Sequence, residues 1–222
     1  MFYLLAGFLF GSLVPYMARR FSKFMPATPA YAVYRIFKQP QKTNKKNEKY
    51  KSLIRVYRLR SLMSALITAV LSYVLYLRFG GNQVWFWLLF VWVLVLLSEI
   101  DIKMQLLPDI LTFPLLIFGF LFAVCFNDYV TAFGSATGAL FGYFMPVVAS
   151  FLMLSYSKDA FGGGDIKLMA AIGAWLGVNG LLITVISACV LFGLYAIVKG
   201  VRVGAFGPAL SIAAIMVLLL FL

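Results

Sequence analysis

Residues 84–100 read VWFWLLFVWVLVLLSEI, and the next residue is Asp101. Seventeen residues with one ionisable side chain, Glu99, make an apolar block of membrane-spanning length. Trp85 and Trp87 open it, where an interfacial aromatic anchor is expected. Seven more apolar blocks lie at roughly 2–18, 61–77, 110–126, 130–155, 166–178, 180–198 and 206–222, the sixth of the eight short and the fifth long. The expected architecture is an all-α polytopic membrane helix bundle of about eight transmembrane segments, forming one membrane-embedded domain over residues 1–222. Gly134, Gly138 and Gly142 put small residues at a spacing of four on one face of the fifth segment, the pattern of close helix packing.

Composition agrees. Hydrophobic residues make up 64% of the chain and charged residues only 12%, against roughly 25% charged in soluble domains. The net charge of +12 is concentrated: thirteen of the nineteen Lys and Arg lie between Arg19 and Arg60. The other six, Arg78, Lys103, Lys158, Lys167, Lys199 and Arg202, sit one or two at a time between apolar blocks. That placement reads as a topology signal and a lipid-facing basic loop, and not as a nucleic-acid site. With 19–60 as a cytoplasmic loop, the N-terminus lies outside, and eighteen basic residues fall inside against Arg78 outside. The middle of that loop, 39–49, shows no apolar periodicity and is expected to be flexible. No positive region precedes the first block and Arg19-Arg20 follow it, so residues 2–18 read as a retained span rather than a cleaved signal peptide.

The chain has no histidine, which removes Ser-His-Asp and Cys-His hydrolysis and histidine-rich metal sites. Cys125 and Cys189 lie singly inside apolar blocks, without metal or redox spacing. Hydrolytic chemistry would have to run on carboxylates. Of the seven acids, Glu48, Asp128 and Asp159 sit in polar gaps as solvated or capping charges. Glu99, Asp101, Asp109 and Asp165 gather at the expected cytoplasmic edge of the bundle, where an ionisable group is costly and points to function. Asp109, after Pro108, suits a helix N-terminus, where a carboxylate caps backbone N–H groups. Glu99 is on a different helical face from Asp101. Asp165 follows Gly162-Gly163-Gly164, glycines that open unusual backbone conformations and close approach by another chain, or else form a turn with Asp165 as N-cap.

Two carboxylates on different helices suffice for aspartyl proteolysis. Held close they do not both ionise readily, so the pair keeps one proton and titrates as a unit. The ionised member takes a proton from the attacking water, and the protonated one hydrogen-bonds the scissile carbonyl. The same acids could instead serve an ion- or proton-coupled transporter, and a non-enzymatic scaffold docking through its basic loop is a third reading. These residues do not by themselves select the pair among four acids.

The stretch 100–109, in which Asp101 is followed by Pro108-Asp109, resembles the first catalytic motif of type IV prepilin peptidases. Gly162-Gly163-Gly164-Asp165-Ile166-Lys167 resembles their second, GxGD followed by Lys. Gly11-Ser12-Leu13-Val14 with Arg19, Gly173-Ala174-Trp175-Leu176-Gly177, and Phe206-Gly207-Pro208 resemble flanking family segments in family order. The resemblance implies that Asp101 and Asp165 are catalytic, with Gly162, Gly163, Gly164, Lys167, Pro108 and Asp109 supporting them or the substrate. It implies precursors of type IV pilins or pseudopilins as substrates, and an active site at the cytoplasmic face of the bacterial inner membrane. Their basic leader would be removed without metal or cofactor. Many members also methylate the new N-terminus with S-adenosylmethionine and carry two Cys-x-x-Cys pairs in the loop after the first span. Residues 19–60 contain no cysteine, and Arg58 and Ser61 replace a usual Pro and Glu. That argues against zinc, and S-adenosylmethionine is needed only if the methyltransferase half is retained. Presenilin-like and signal-peptide-peptidase enzymes share GxGD, but the surroundings of Asp101 are more similar to prepilin peptidases.

Overall fold

The computed structural model describes residues 1–24, 48–126, 129–153, 162–200 and 204–221. These residues form helices and no strand: α1 (Phe2–Phe24), α2 (Glu48–Phe79), α3 (Val84–Met104), α4 (Asp109–Cys125), α5 (Ala132–Met153), α6 (Gly163–Lys199) and α7 (Gly207–Phe221). Five of them, α1, α2, α3, α5 and α6, contain stretches long and apolar enough to cross a membrane, and α4 and α7 are shorter apolar helices. The chain is therefore an all-α, multi-pass membrane protein. The expected flexible middle of the basic loop, Asp128, Lys158, Asp159, Arg202 and the side chain of Glu48 lie outside the described residues. The chain divides into two compact units, Met1–Val84 and Trp85–Leu222.

The first unit is an α1–α2 hairpin closed by hydroxyl-to-carbonyl bonds. Thr68 Oγ1 donates to the Gly7 carbonyl (2.8 Å), Ser64 Oγ to Gly11 (2.6 Å) and Ser61 Oγ to Ser12 (2.8 Å), and the Tyr57 hydroxyl donates to Pro15. The Gly11 acceptor has a local cause: Pro15, four residues on, has no N–H to donate to it. A Cβ on Gly11 would lie 1.8 Å from Thr68 Oγ1, so glycine is what brings the backbones close enough for these bonds.

In the second unit α6 is the centre, packing against α4, α5 and α7. Gly138 and Gly142 of α5 lie where a Cβ would be 2.2 Å from the Gly173 carbonyl and 2.5 Å from that of Met169. The small-residue face expected on this segment thus meets the first half of α6. Gly134 belongs to the start of α5 instead, where its N–H is capped by Thr131 Oγ1 at 2.9 Å. Trp87 is fully buried, with its ring 4.7 Å from Phe122 and 5.7 Å from Trp175. The expectation of an interfacial anchor is corrected there: the Trp87 face of α3 points into the bundle, and Trp85 alone of the two is exposed. Trp175 stacks on Phe90 at 4.8 Å and donates its indole N–H to the Leu115 carbonyl (2.8 Å), tying α3, α4 and α6 together.

At Gly177 α6 is not helical (φ 68, ψ −176), a conformation closed to other residues. If α6 were straight, Asp165 and Lys199 would stand about 51 Å apart. The stretch from Lys199 to Gly207 reaches at most about 29 Å. Yet Asp165 and Gly207 both lie at Asp101, the first within range of its charge and the second hydrogen-bonded to it. Phe192, beyond Gly177, also meets Phe206, next to Gly207, at 5.5 Å, so the chain folds back at Gly177 and residues 163–176 and 178–199 are two limbs of a hairpin. With that reversal the described helical segments correspond one for one with the eight apolar blocks.

Candidate functional site

Asp101 lies in the last turn of α3, 4% exposed. The helix ends three residues later, where Gln105 takes a left-handed conformation (φ 53) and its N–H donates to the Asp101 carbonyl at 2.8 Å. This is the usual way of satisfying a C-terminal carbonyl, here without the usual glycine. Residues 105–108 then turn the chain into α4, and Pro108 stands at its N-cap position in an extended conformation.

Leu107 of that turn is buried and packs against Gly164, where a Cβ would come within 2.9 Å of Leu107 Cβ. Gly164 is therefore the glycine that lets the two motifs touch. None of Gly162, Gly163 and Gly164 has a positive φ, so the unusual conformations expected of them are absent, and Gly163 faces open space. Gly162 occupies the N-cap position of α6, and Asp165 comes three residues later with no side-chain capping bond. The reading of Asp165 as an N-cap is corrected on that ground.

Asp109 makes no side-chain cap either. Both of its carboxylate oxygens accept from Lys167 Nζ at 2.7 Å, and that ammonium also lies 5.5 Å from the Phe113 ring centre. The pair joins the start of α4 to the start of α6 through two residues that the sequence named separately. Glu99 pairs with Lys103 one turn on, at 3.0 Å.

The structure thus brings Asp101, Pro108, Asp109, Gly164, Asp165 and Lys167 to one end of the second unit. Asp165 is half-buried and near enough to Asp101 for their charges to interact. The arrangement offers one enclosed carboxyl and one more open carboxyl on different helices. Sequence reasoning gave no role to Gly207, whose N–H donates to Asp101 Oδ2 at 2.9 Å from the first residue of α7. In the sequence it figured only within the flanking segment Phe206-Gly207-Pro208, in which Gly-Pro suits a helix start.

The chain is similar to proteins named prepilin leader peptidase/N-methyltransferase. It is 39% identical to that of Dichelobacter nodosus over 159 residues, covering 69% of this chain and 55% of the relative. It is 37% identical to that of Aeromonas salmonicida, covering 71% and 56%, and 33% identical to that of Neisseria gonorrhoeae, covering 67% and 53%. The chain spans about half the length of the curated relatives it matches. No solved structure matches it. Residues 88–197 match the profile of the Type IV leader peptidase family. Both aspartates and both motifs fall inside that segment, and the chain belongs to the type IV leader peptidase family.

Proposed function

We propose that this protein is a membrane aspartyl endopeptidase that removes the basic cytoplasmic leader from type IV prepilin or pseudopilin precursors, with Asp101 and Asp165 as its catalytic pair. The observation that carries the reading is that α3 and α6 bring these two carboxyls, at one end of the second unit, near enough for their charges to interact. Water attacks the scissile carbonyl carbon as one carboxylate takes its proton, and the other carboxyl gives its proton to the carbonyl oxygen. The resulting geminal diol collapses: one hydroxyl returns its proton to the second aspartate, the first aspartate protonates the departing nitrogen, and the C–N bond breaks. Both groups end as they began. Gly162, extended at the N-cap, and Gly163, opening α6, are both exposed just ahead of Asp165 and leave room for a substrate backbone, and the Lys167–Asp109 pair with Pro108 supports the turn that presents Asp101.

The same proposal sets the protein in the bacterial cytoplasmic membrane, with its N-terminus outside, the site and the loop 19–60 on the cytoplasmic side, lipid headgroups against that loop, and no nucleic acid as partner. Residues 1–222 act in it as one peptidase domain. Zinc has no place in it, since 19–60 contain no cysteine. N-methylation is kept out of the activity for the same reason, although the relatives carry it in their names. No residue here is assigned to S-adenosylmethionine, and the mass of the product's N-terminus, taken with that compound present, decides the point.

The test is cleavage of a prepilin in membranes. Asp101→Asn and Asp165→Asn should each lower the rate by about 10³-fold or more. Wild-type rates in both variants would overturn the proposal.

A further inference from the structure

Resting on that reading, we infer that Gly207 is a positioning residue whose backbone N–H makes the two aspartates unequal, holding Asp101 as the ionised base and leaving Asp165 to carry the shared proton. The argument begins with the first turn of α7. Helix N-termini leave their first N–H groups without intrahelical partners. Here Pro208 has none to offer, Leu210 donates to the Phe206 carbonyl at 3.1 Å, and the Gly207 N–H goes to Asp101 Oδ2 at 2.9 Å. Asp101 therefore meets a fixed donor at the positive end of a helix, an arrangement that favours a carboxylate over a carboxylic acid. Burial works the other way, and a buried carboxyl with no donor would be the one to stay protonated.

Asp165 has the opposite setting: half-buried, with no donor reaching its carboxyl among the described residues. Only glycine allows the Asp101 contact. A Cβ at position 207 would lie 2.6 Å from Asp101 Oδ2 and 3.1 Å from its Cγ, forcing the carboxyl off the amide. Among the described residues, the other charged groups on the elements packed here are Lys167, paired with Asp109, Lys103, paired with Glu99, and Lys199 at the last turn of α6, and α7 carries no titratable side chain. Burial acts on both carboxyls, and among the described residues the Gly207 amide is the contact that Asp101 has and Asp165 lacks. In the first step Asp101 receives the proton of the attacking water, and Asp165 donates to the carbonyl oxygen.

Gly207→Ala tests this through the pH profile of kcat/KM for prepilin cleavage. Losing the donor should raise the acid limb by about one pH unit, with the alkaline limb in place and KM little changed. An unshifted profile, or movement of the alkaline limb instead, overturns the inference while leaving the peptidase reading intact. A second measurement needs neither Gly207→Ala nor cleavage. Infrared titration of Asp165→Asn and of Asp101→Asn, each differenced against the double variant, follows one carboxyl at a time. Asp101 alone should ionise at lower pH than Asp165 alone, and the reverse order overturns the assignment.

Discussion

Gly164 shows how little room the site leaves. Its Cα faces Leu107 so closely that a Cβ would sit 2.9 Å from Leu107 Cβ and 3.3 Å from the Leu107 nitrogen. Gly164→Val should cost about 1–3 kcal/mol by thermal unfolding in detergent, with a parallel fall in cleavage as the two motifs separate. Gly163→Ala, facing open space, should leave stability unchanged within about 0.5 kcal/mol. The Lys167–Asp109 pair is close but half-exposed, at 33% and 51%. A double-mutant cycle should therefore give a coupling of no more than about 1 kcal/mol, falling with added salt. Its effect on cleavage comes from holding the starts of α4 and α6 together, so Lys167→Met should lower kcat more than stability. At this scale the acids were legible in the sequence because a charge at the edge of an apolar block stands out. Their partners were not. The Asp109–Lys167 contact bridges 58 positions, and a backbone N–H such as that of Gly207 belongs to every residue but proline.

Among the elements, the hairpin within α6 depends on one residue. At φ 68 and ψ −176, Gly177 occupies a region essentially restricted to glycine. Gly177→Ala should destabilise the protein by about 1–3 kcal/mol, read from its unfolding midpoint, and should loosen the placement of Asp165 relative to α7. The two limbs were legible as two apolar blocks because hydrophobicity alone marks where chain can cross a bilayer, and the break between them fell within two residues of Gly177. Boundaries set by other forces were harder to read. The second block was expected to begin at residue 61, yet α2 starts at Glu48, since a helix continues through Lys- and Arg-rich sequence that hydropathy discounts. Trp87 misled for a related reason: an aromatic residue near the end of an apolar run suits an interface or a core equally, and only the Phe122 and Trp175 faces decide for the core.

For the molecule as a whole, two of the helical segments that deliver the site are short. α4 has 17 residues, about 25 Å of helix, and the limb 163–176 about 21 Å. The hydrocarbon layer of an ordinary bilayer is about 30 Å thick. A stretch shorter than the layer draws the leaflets together around it, at a cost of fractions of a kcal/mol for each Å of mismatch. Both segments begin at the site, α4 with Asp109 and the limb two residues before Asp165. Of the two, α4 is the one with an exposed face, since residues 168–176 are buried among the other helices, and on the proposed function the pinch at its start falls where a precursor would enter and lowers headgroups and water toward the two carboxyls. Cleavage should accordingly run faster in vesicles of short-chain phosphatidylcholine than in long-chain ones at equal fluidity. A rate indifferent to chain length would mean that neighbouring helices, and not the lipid, absorb the mismatch. On this view the surrounding bilayer is a component of the enzyme, and a cell that thickens its membrane slows the enzyme without touching a single residue.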